Sequence, residues 1–343
     1  MQKPLVSVII VNWNGASHIP KFLATMKKCA YKNLEYIIVD NGSTDNSLAM
    51  MKKAFPHAKF VVNKTNKGFA EGNNQGLPFA KGKYVLLINN DVYVPSNFLD
   101  ILVDAIEKEA FIAGVQPKIL MEKTKQLQAG ASFLTDTGFL YHYGFGKNPK
   151  DLKYNKMIPV FSANGSCLLL RKSAIEKVFG LFDKDYFAYF EETDLCWRLW
   201  LAGYKLYYVP TSVVEHVGSQ TSQHLPSTFV YYHSFKNRLA SLIKNLDTKH
   251  AFIMIPFHAA ICELFAFGSV VKFHTFVFFL AIQRAMWWNI SNLGRLLEDR
   301  ERVQKNIRKV SDETIFLHIK KSVPLSYFRA LIGDLAAYND IEL

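Results

Sequence analysis

Tyr84-Val85-Leu86-Leu87-Ile88-Asn89-Asn90-Asp91 runs four consecutive aliphatic residues straight into a polar tripeptide that ends on an acid. The run predicts a strand buried on both faces. A carboxylate at the end of such a strand sits at the carboxyl edge of a sheet, and open α/β folds bind their ligands at that edge. Asp91, followed by Val92-Tyr93-Val94-Pro95, suits a divalent cation that neutralises a diphosphate. Taken alone, the tripeptide is equally well explained as a strand end capping a helix that begins near Pro95-Ser96. What surrounds it decides.

Upstream lie three more strand–turn–helix units. Leu5–Val11 is a β-branched run ended by Asn12-Trp13-Asn14-Gly15, with helical spacing over His18–Lys28. Leu34–Val39 is a second buried strand, closed by Asp40-Asn41-Gly42-Ser43-Thr44-Asp45, where Ser43 or Thr44 can cap a helix over Asn46–Ala54. Lys59–Asn63 is a third strand, and a loop and helix fill Asn66–Lys81. Alternating β and α segments predict a parallel, doubly wound sheet. Its ligand edge gathers Asn12–Gly15, Asp40–Asp45 and Asn89–Asp91. Downstream, short strands are expected at Ala113–Pro117, Ser166–Arg171 and Lys205–Val209, with the Gly-rich stretch from Gly130 to Gly146 as a mobile loop. The domain reading is therefore a unit over 1–225, in halves 1–113 and 114–225, and a helical region over 226–343.

Half of the 343 residues are hydrophobic, which excludes disorder. The net charge of +12 is spread along the chain, whereas a nucleic-acid module would concentrate it; anionic lipid or a diphosphate substrate accounts for a diffuse excess. Cys29, Cys167, Cys196 and Cys262 have no metal-type spacing and read as reduced, buried thiols of a cytosolic protein. The apolar run that stops at Asn12 is too short for a signal peptide.

Five segments now coincide in order: Ser7–Gly15, Val39–Asp45, Asn66–Asn73, Asn89–Asp91, and Phe190-Glu191-Glu192-Thr193-Asp194-Leu195-Cys196-Trp197-Arg198. Together they make the chain resemble the inverting glycosyltransferases of family 2, which have the GT-A fold. Within that family it is most similar to the rhamnosyltransferase-type enzymes of bacterial polysaccharide assembly. The resemblance covers roughly residues 5 to 240. It implies that Asp40 meets the nucleotide base (an Asx turn is the structural alternative), with Asn12, Asn14, Gly68, Asn73 and Asn89 around the donor. Asp91 corresponds to the last acid of the family's D-x-D motif. Asn89 replaces the first, which removes one charge from the expected Mg2+ or Mn2+ site but leaves a carboxylate that phosphates can supplement. The resemblance also implies that His216 reaches the metal or diphosphate, a structural hydrogen bond being the alternative.

Inverting transfer needs a carboxylate to take the acceptor's proton. By motif position the base is Glu192, with Glu191 as the alternative and Asp194 orienting the helix or an acceptor hydroxyl. Glycoside hydrolysis also uses two carboxylates, but it gives no reason for a nucleotide-type half. Processive synthases carry a Q-x-x-R-W element, whose spacing Gln283-Arg284-Ala285-Met286-Trp287 does not match, so single addition is favoured. The implied donor is a dTDP- or UDP-sugar, rhamnose being suggested by the subfamily resemblance alone. The implied acceptor is a lipid-linked or other saccharide. A non-catalytic nucleotide-sugar-binding or scaffold protein is the competing reading, kept open by Asn89.

Ala251 to Val271 carries one formal charge, Glu263, and a second apolar run, Phe273 to Ile282, leads to Trp287-Trp288. Basic residues flank both ends: Lys236, Arg238, Lys244 and Lys249 before, then Arg295, Arg300, Arg302 and others after. The positive-inside rule puts both flanks on the cytoplasmic side. An interfacial or re-entrant helical pair on the inner-membrane surface is expected, with both tryptophans at headgroup level; a soluble hairpin or a dimer contact is the alternative.

Overall fold

The computed structural model describes residues 3–129, 131–218 and 227–321. Four parallel strands form its first half: β1 (Val6–Asn12), β2 (Leu34–Asp40), β3 (Lys59–Val62) and β4 (Tyr84–Ile88). Between them run α1 (Ile19–Lys27), α2 (Ser47–Ala54) and α3 (Gly68–Gly76). Strand β4 is buried on both faces, as its unbroken aliphatic run demands. Val85 and Leu87 enter one core layer with Ile9 and Ile37; Leu86 and Ile88 enter the other with Val8, Ile10 and Phe22.

The second half comprises β5 (Val92–Tyr93), α4 (Phe98–Glu107), β6 (Ile112–Met121), β7 (Leu127–Ala129), β8 (Ala131–Thr135), β9 (Leu140–Tyr143), β10 (Ile158–Val160), β11 (Cys167–Arg171), α5 (Lys172–Lys177), α6 (Glu191–Leu201) and β12 (Lys205–His216). The sheet becomes mixed beyond β4, because β11 joins it antiparallel while β6 and β12 pair in parallel, and it runs β10-β12-β6-β11-β4-β1-β2-β3. Strand β5 pairs antiparallel with the end of β12, which sets His216 opposite Val92 and beside Asp91.

The Gly-rich stretch is not a loop. Strands β8 and β9 form a hairpin through Gly138, which takes φ +78°, and Phe133, Leu134, Phe139 and Tyr141 of this hairpin are buried. Alternate large apolar side chains outweigh the glycines here. All four cysteines are buried free thiols.

Helices α7 (Ser227–Asn245), α8 (Thr248–Phe273), α9 (Val277–Ser291), α10 (Leu293–Arg302) and α11 (Asp312–Ile319), with β13 (Lys320–Lys321), complete the described chain. The expected boundary at 225 lies outside the described residues. Helix α7 shares one core layer with α6, through Leu239, Leu242, Ile243 and Trp197. Lys236 and Lys244, expected on a lipid-facing flank, are instead buried and bind internal partners.

Helices α8 and α9 form a hairpin, and α8 is long and apolar enough to cross a membrane by length and composition. Its outer face is bare hydrocarbon: Phe252 is 78% exposed, Val271 76% and, on α9, Trp287 67%. Glu263 does not stand alone, because Gln283 Nε2 donates to its Oε2 at 2.6 Å across the hairpin. Trp288 turns inward, with Lys236 Nζ 4.5 Å from its ring centroid, so of the two tryptophans only Trp287 faces outward.

Candidate active site

A cleft of about 540 Å³ opens at the carboxyl edge of the parallel strands. One wall carries Asn89, Asn90, Asp91 and His216 beside Asn14; the other carries Gly68 and the segment from Phe187 to Glu192. The ends of β1, β4 and β12 and the start of α6 therefore converge on one space.

Asp91 is buried, and its Oδ1 lies 3.1 Å from His216 Nε2. Burial works to raise its pKa, but the charge of His216 in its imidazolium form, its hydrogen bond to the carboxyl and the more distant His18 outweigh this and hold the carboxyl below the ordinary range. His216 Nδ1 lies 2.9 Å from Gln128 Oε1. A carbonyl oxygen only accepts, so Nδ1 carries the proton, and in the neutral ring Nε2 presents a lone pair toward the carboxylate. Two acceptors facing each other at this distance need a proton or a cation between them. An oxygen and an imidazole nitrogen, oriented by Gln128 behind, fit a divalent ion whose remaining ligands come from phosphate and water. Asn89 lies on the same wall, its backbone N–H bonded to Ser166 O at 2.9 Å.

Glu191 and Glu192 open α6, where the helix N-terminus favours negative charge. Burial raises the pKa of Glu192 to about 7. Burial, then the Glu192 charge, raises that of Glu191 well above the usual carboxylate range. Glu191 Oε2 and Ser166 Oγ are buried without a hydrogen-bond partner, so the cleft offers polar atoms that only a ligand or solvent would satisfy.

Gly68 takes φ +86°, and a Cβ there would lie 2.4 Å from Phe187 O, so only glycine lets α3 pack this closely against the turn that leads to α6. Asn14 also has positive φ, 49°, and its Oδ1 accepts from Thr44 N at 2.8 Å.

Four expected site residues lie behind the walls. Asp40 is 1% exposed; its Oδ1 accepts from Asn12 Nδ2 at 2.8 Å and its Oδ2 from Ser43 N at 3.0 Å. The second contact is of the turn type and the first crosses from β1 to β2, and Asp40 is not among the residues that line the cleft. Asn12 supports the floor, its Oδ1 accepting from Asn90 Nδ2 at 2.7 Å. Asn73 donates to Phe69 O within α3. Asp194 points to the far side of α6, where Arg198 Nε, Lys244 Nζ and Asn245 Nδ2 approach within 3.0, 3.2 and 2.9 Å. Burial opposes its ionisation, but Lys244 and then Arg198 hold its pKa well below the usual range. It anchors the helix and does not touch the cleft.

The sequence reading missed His18, Asn164 and Ser166, all on the cleft wall. His18 had a signal, standing where the first strand's turn becomes helix at the ligand edge.

The family model for glycosyl transferase family 2 matches residues 7–179, just over half of the chain. The chain belongs to glycosyltransferase family 2. Among curated relatives, the N-acetylglucosaminyl-diphospho-decaprenol L-rhamnosyltransferase of Mycobacterium tuberculosis is 26% identical over 251 residues, covering 67% of this chain and 81% of its own. The rhamnosyltransferase WbbL of Escherichia coli is 27% identical, covering 66% and 92%. Among solved structures, GalNAc-T7 with UDP, GalNAc and Mn2+ superposes with a TM-score of 0.62 at 16% identity, over 93% of this chain and 58% of that one. The mannosyltransferase PcManGT of Pyrobaculum calidifontis, with GDP-Man and Mn2+, gives 0.54 at 15%, over 98% and 86%. These likenesses establish the GT-A fold for this family 2 glycosyltransferase.

Proposed function

We propose that this glycosyltransferase moves one sugar, with inversion, from a nucleoside-diphosphate sugar to a hydroxyl of a lipid-linked saccharide in cell-surface polysaccharide assembly. The observation that carries the reading is the two-sided cleft: the Asp91–His216 pair on one wall and a carboxyl with a pKa of about 7 on the other. Glu192 takes the proton from the acceptor hydroxyl as its oxygen bonds to the anomeric carbon. The bond from that carbon to the diphosphate breaks on the opposite side, and the nucleoside diphosphate leaves with its electron pair. Glu191, its pKa raised further, is the alternative base. Asp91 and His216 would hold Mg2+ or Mn2+, which when bound neutralises charge on the departing diphosphate. Asn14 and Asn89 line the donor side, with Gly68 across the cleft from them, and Asn12 supports the floor below.

A dTDP- or UDP-sugar is the donor class, with rhamnose favoured by the names of the two curated relatives. Exposed hydrocarbon on α8 and α9 suits an interfacial seat on the cytoplasmic face of the membrane, where a lipid-linked acceptor would be met. The test is transfer to a synthetic prenyl-diphosphate saccharide, with the anomeric configuration of the product read by NMR. Product of inverted configuration supports the proposal; retained configuration, or free sugar alone with acceptor present, overturns it.

A further inference from the structure

We infer that Asn237 is a positioning residue for the transfer reaction, holding the turn from Tyr186 to Phe190, and through it the Glu191–Glu192 pair, in a backbone shape that the turn does not favour by itself. The inference rests on the proposed function for its reaction and on separate geometry for its clamp.

Phe187, Tyr189 and Phe190 all have positive φ, at 58°, 70° and 72°. The left-handed region is disfavoured for any residue with a side chain, and three such residues within four positions persist only if their surroundings impose them. Phe190 is also the residue from which α6 departs, so its φ sets the direction in which Glu191 and Glu192 leave the turn. Phe187, Ala188 and Tyr189 line the cleft themselves.

The surroundings do impose this shape, chiefly from α7. Asn237 Nδ2 is within donating distance of three carbonyls, Tyr186 O at 2.9 Å, Ala188 O at 2.9 Å and Tyr189 O. His233 Nδ1 lies 3.1 Å from Tyr186 O, and Lys236 Nζ donates to Asp185 O. Phe187 O accepts from Ala70 N at 2.9 Å and Phe190 O from Asp194 N at 3.0 Å. Six consecutive carbonyls, from Asp185 to Phe190, are thus engaged, and Asn237 alone reaches three. Its own Oδ1 is buried without a hydrogen-bond partner. Rotating the amide would turn that oxygen toward three carbonyl oxygens, so the donor end must face the turn. An amide kept fully buried with its acceptor unused is there for its N–H groups.

The test uses Asn237→Asp, which keeps the shape and removes the donors, and Asn237→Ser, which is smaller and polar. Asn289→Ala is the structural control, since Asn289 Nδ2 donates to Lys236 O and Ala285 O away from the cleft. Turnover is measured with whichever of dTDP-rhamnose, UDP-glucose and UDP-N-acetylglucosamine the wild type uses fastest, alongside donor Kd, melting temperature and hydrogen exchange at the Ala70 amide. Misplacing a reacting group by about 1 Å can cost a factor of 10². Both Asn237 variants should therefore lose about 10–100-fold in kcat, with donor Kd little changed and faster exchange at Ala70. The control should lower the melting temperature and leave kcat per folded molecule alone. Unchanged kcat in the Asn237 variants, a loss matched by the control, or failure of both variants to fold would overturn the positioning role. If the wild type turns over no donor, the functional reading fails separately, and unaltered Ala70 exchange would still refute the clamp.

Discussion

Replacing Glu192 by glutamine should destroy activity and stabilise the fold at the same time. Glutamine keeps the shape and cannot take a proton, so turnover should fall by about 10²–10⁴-fold, the usual contribution of a general base. Stability follows from the pKa, which burial raises from 4.5 to about 7. Between those values the folded protein holds a proton that the unfolded chain releases, so stability falls as pH rises through that window and stays reduced above it. The full shift corresponds to about 3 kcal/mol; Glu192 borders the open cleft, and solvent screening leaves about 1–2 kcal/mol as the expected gain for Glu192→Gln at pH 8. Urea unfolding at pH 8 and near pH 4 measures it, because near pH 4 both states are protonated and the two proteins should match. In the wild type, kcat/KM should climb with pH through an inflection near 7 to a plateau, since the carboxylate is the working form. A loss under tenfold, or a variant less stable than wild type at pH 8, would refute the assignment. A dead Glu191→Gln with an active Glu192→Gln would move the base one residue.

If Asp91 is the main protein ligand, Asp91→Ala should abolish transfer, and EDTA should inactivate the wild type until Mg2+ or Mn2+ is restored; full activity in EDTA would sink the metal site. Gly68→Ala should lower stability by more than about 1 kcal/mol, because alanine meets both a left-handed φ and the Phe187 carbonyl. An unchanged thermal melt would mean that the α3 contact is looser than described. Anionic liposomes should capture the protein through the α8–α9 face and release part of it at high salt, with about 1 kcal/mol per basic residue near the surface as the scale. Equal recovery in the supernatant with and without liposomes at low salt would make the hairpin a soluble one.

The first half of the fold was legible because each strand announces itself locally. Val85 to Ile88 has no polar interruption, and the turns after β1, β2 and β4 carry the asparagines and acids that a ligand edge needs. The hairpin β8–β9 was hidden by its glycines, since Gly138 marks a tight turn and not a slack chain. Mixed pairing beyond β4 depends on β11 inserting between β4 and β6, a long-range contact that periodicity cannot reveal. In the candidate site, Asp91, His216, Glu191 and Glu192, which the motif order singled out, line one cleft. The same motif order also picked out Asp40 and Asp194, which do not line the cleft and whose carboxylates accept from Asn12 and Ser43 and pair with Lys244 and Arg198. Sequence order does not say which way a side chain turns. Asn237 was invisible for a related reason: its partners are backbone carbonyls about fifty positions away, and they leave no side-chain signature.

The central claim is that the cleft turns over a nucleotide sugar. Its most direct test is the release of nucleoside diphosphate from a panel of dTDP-, UDP- and GDP-sugars by the purified protein, with and without a saccharide acceptor. Release should occur from one donor, be stimulated by acceptor and be lost in both Glu192→Gln and Asp91→Ala. Tight binding of a donor with no release under any condition would contradict it and identify a nucleotide-sugar-binding protein on a transferase fold.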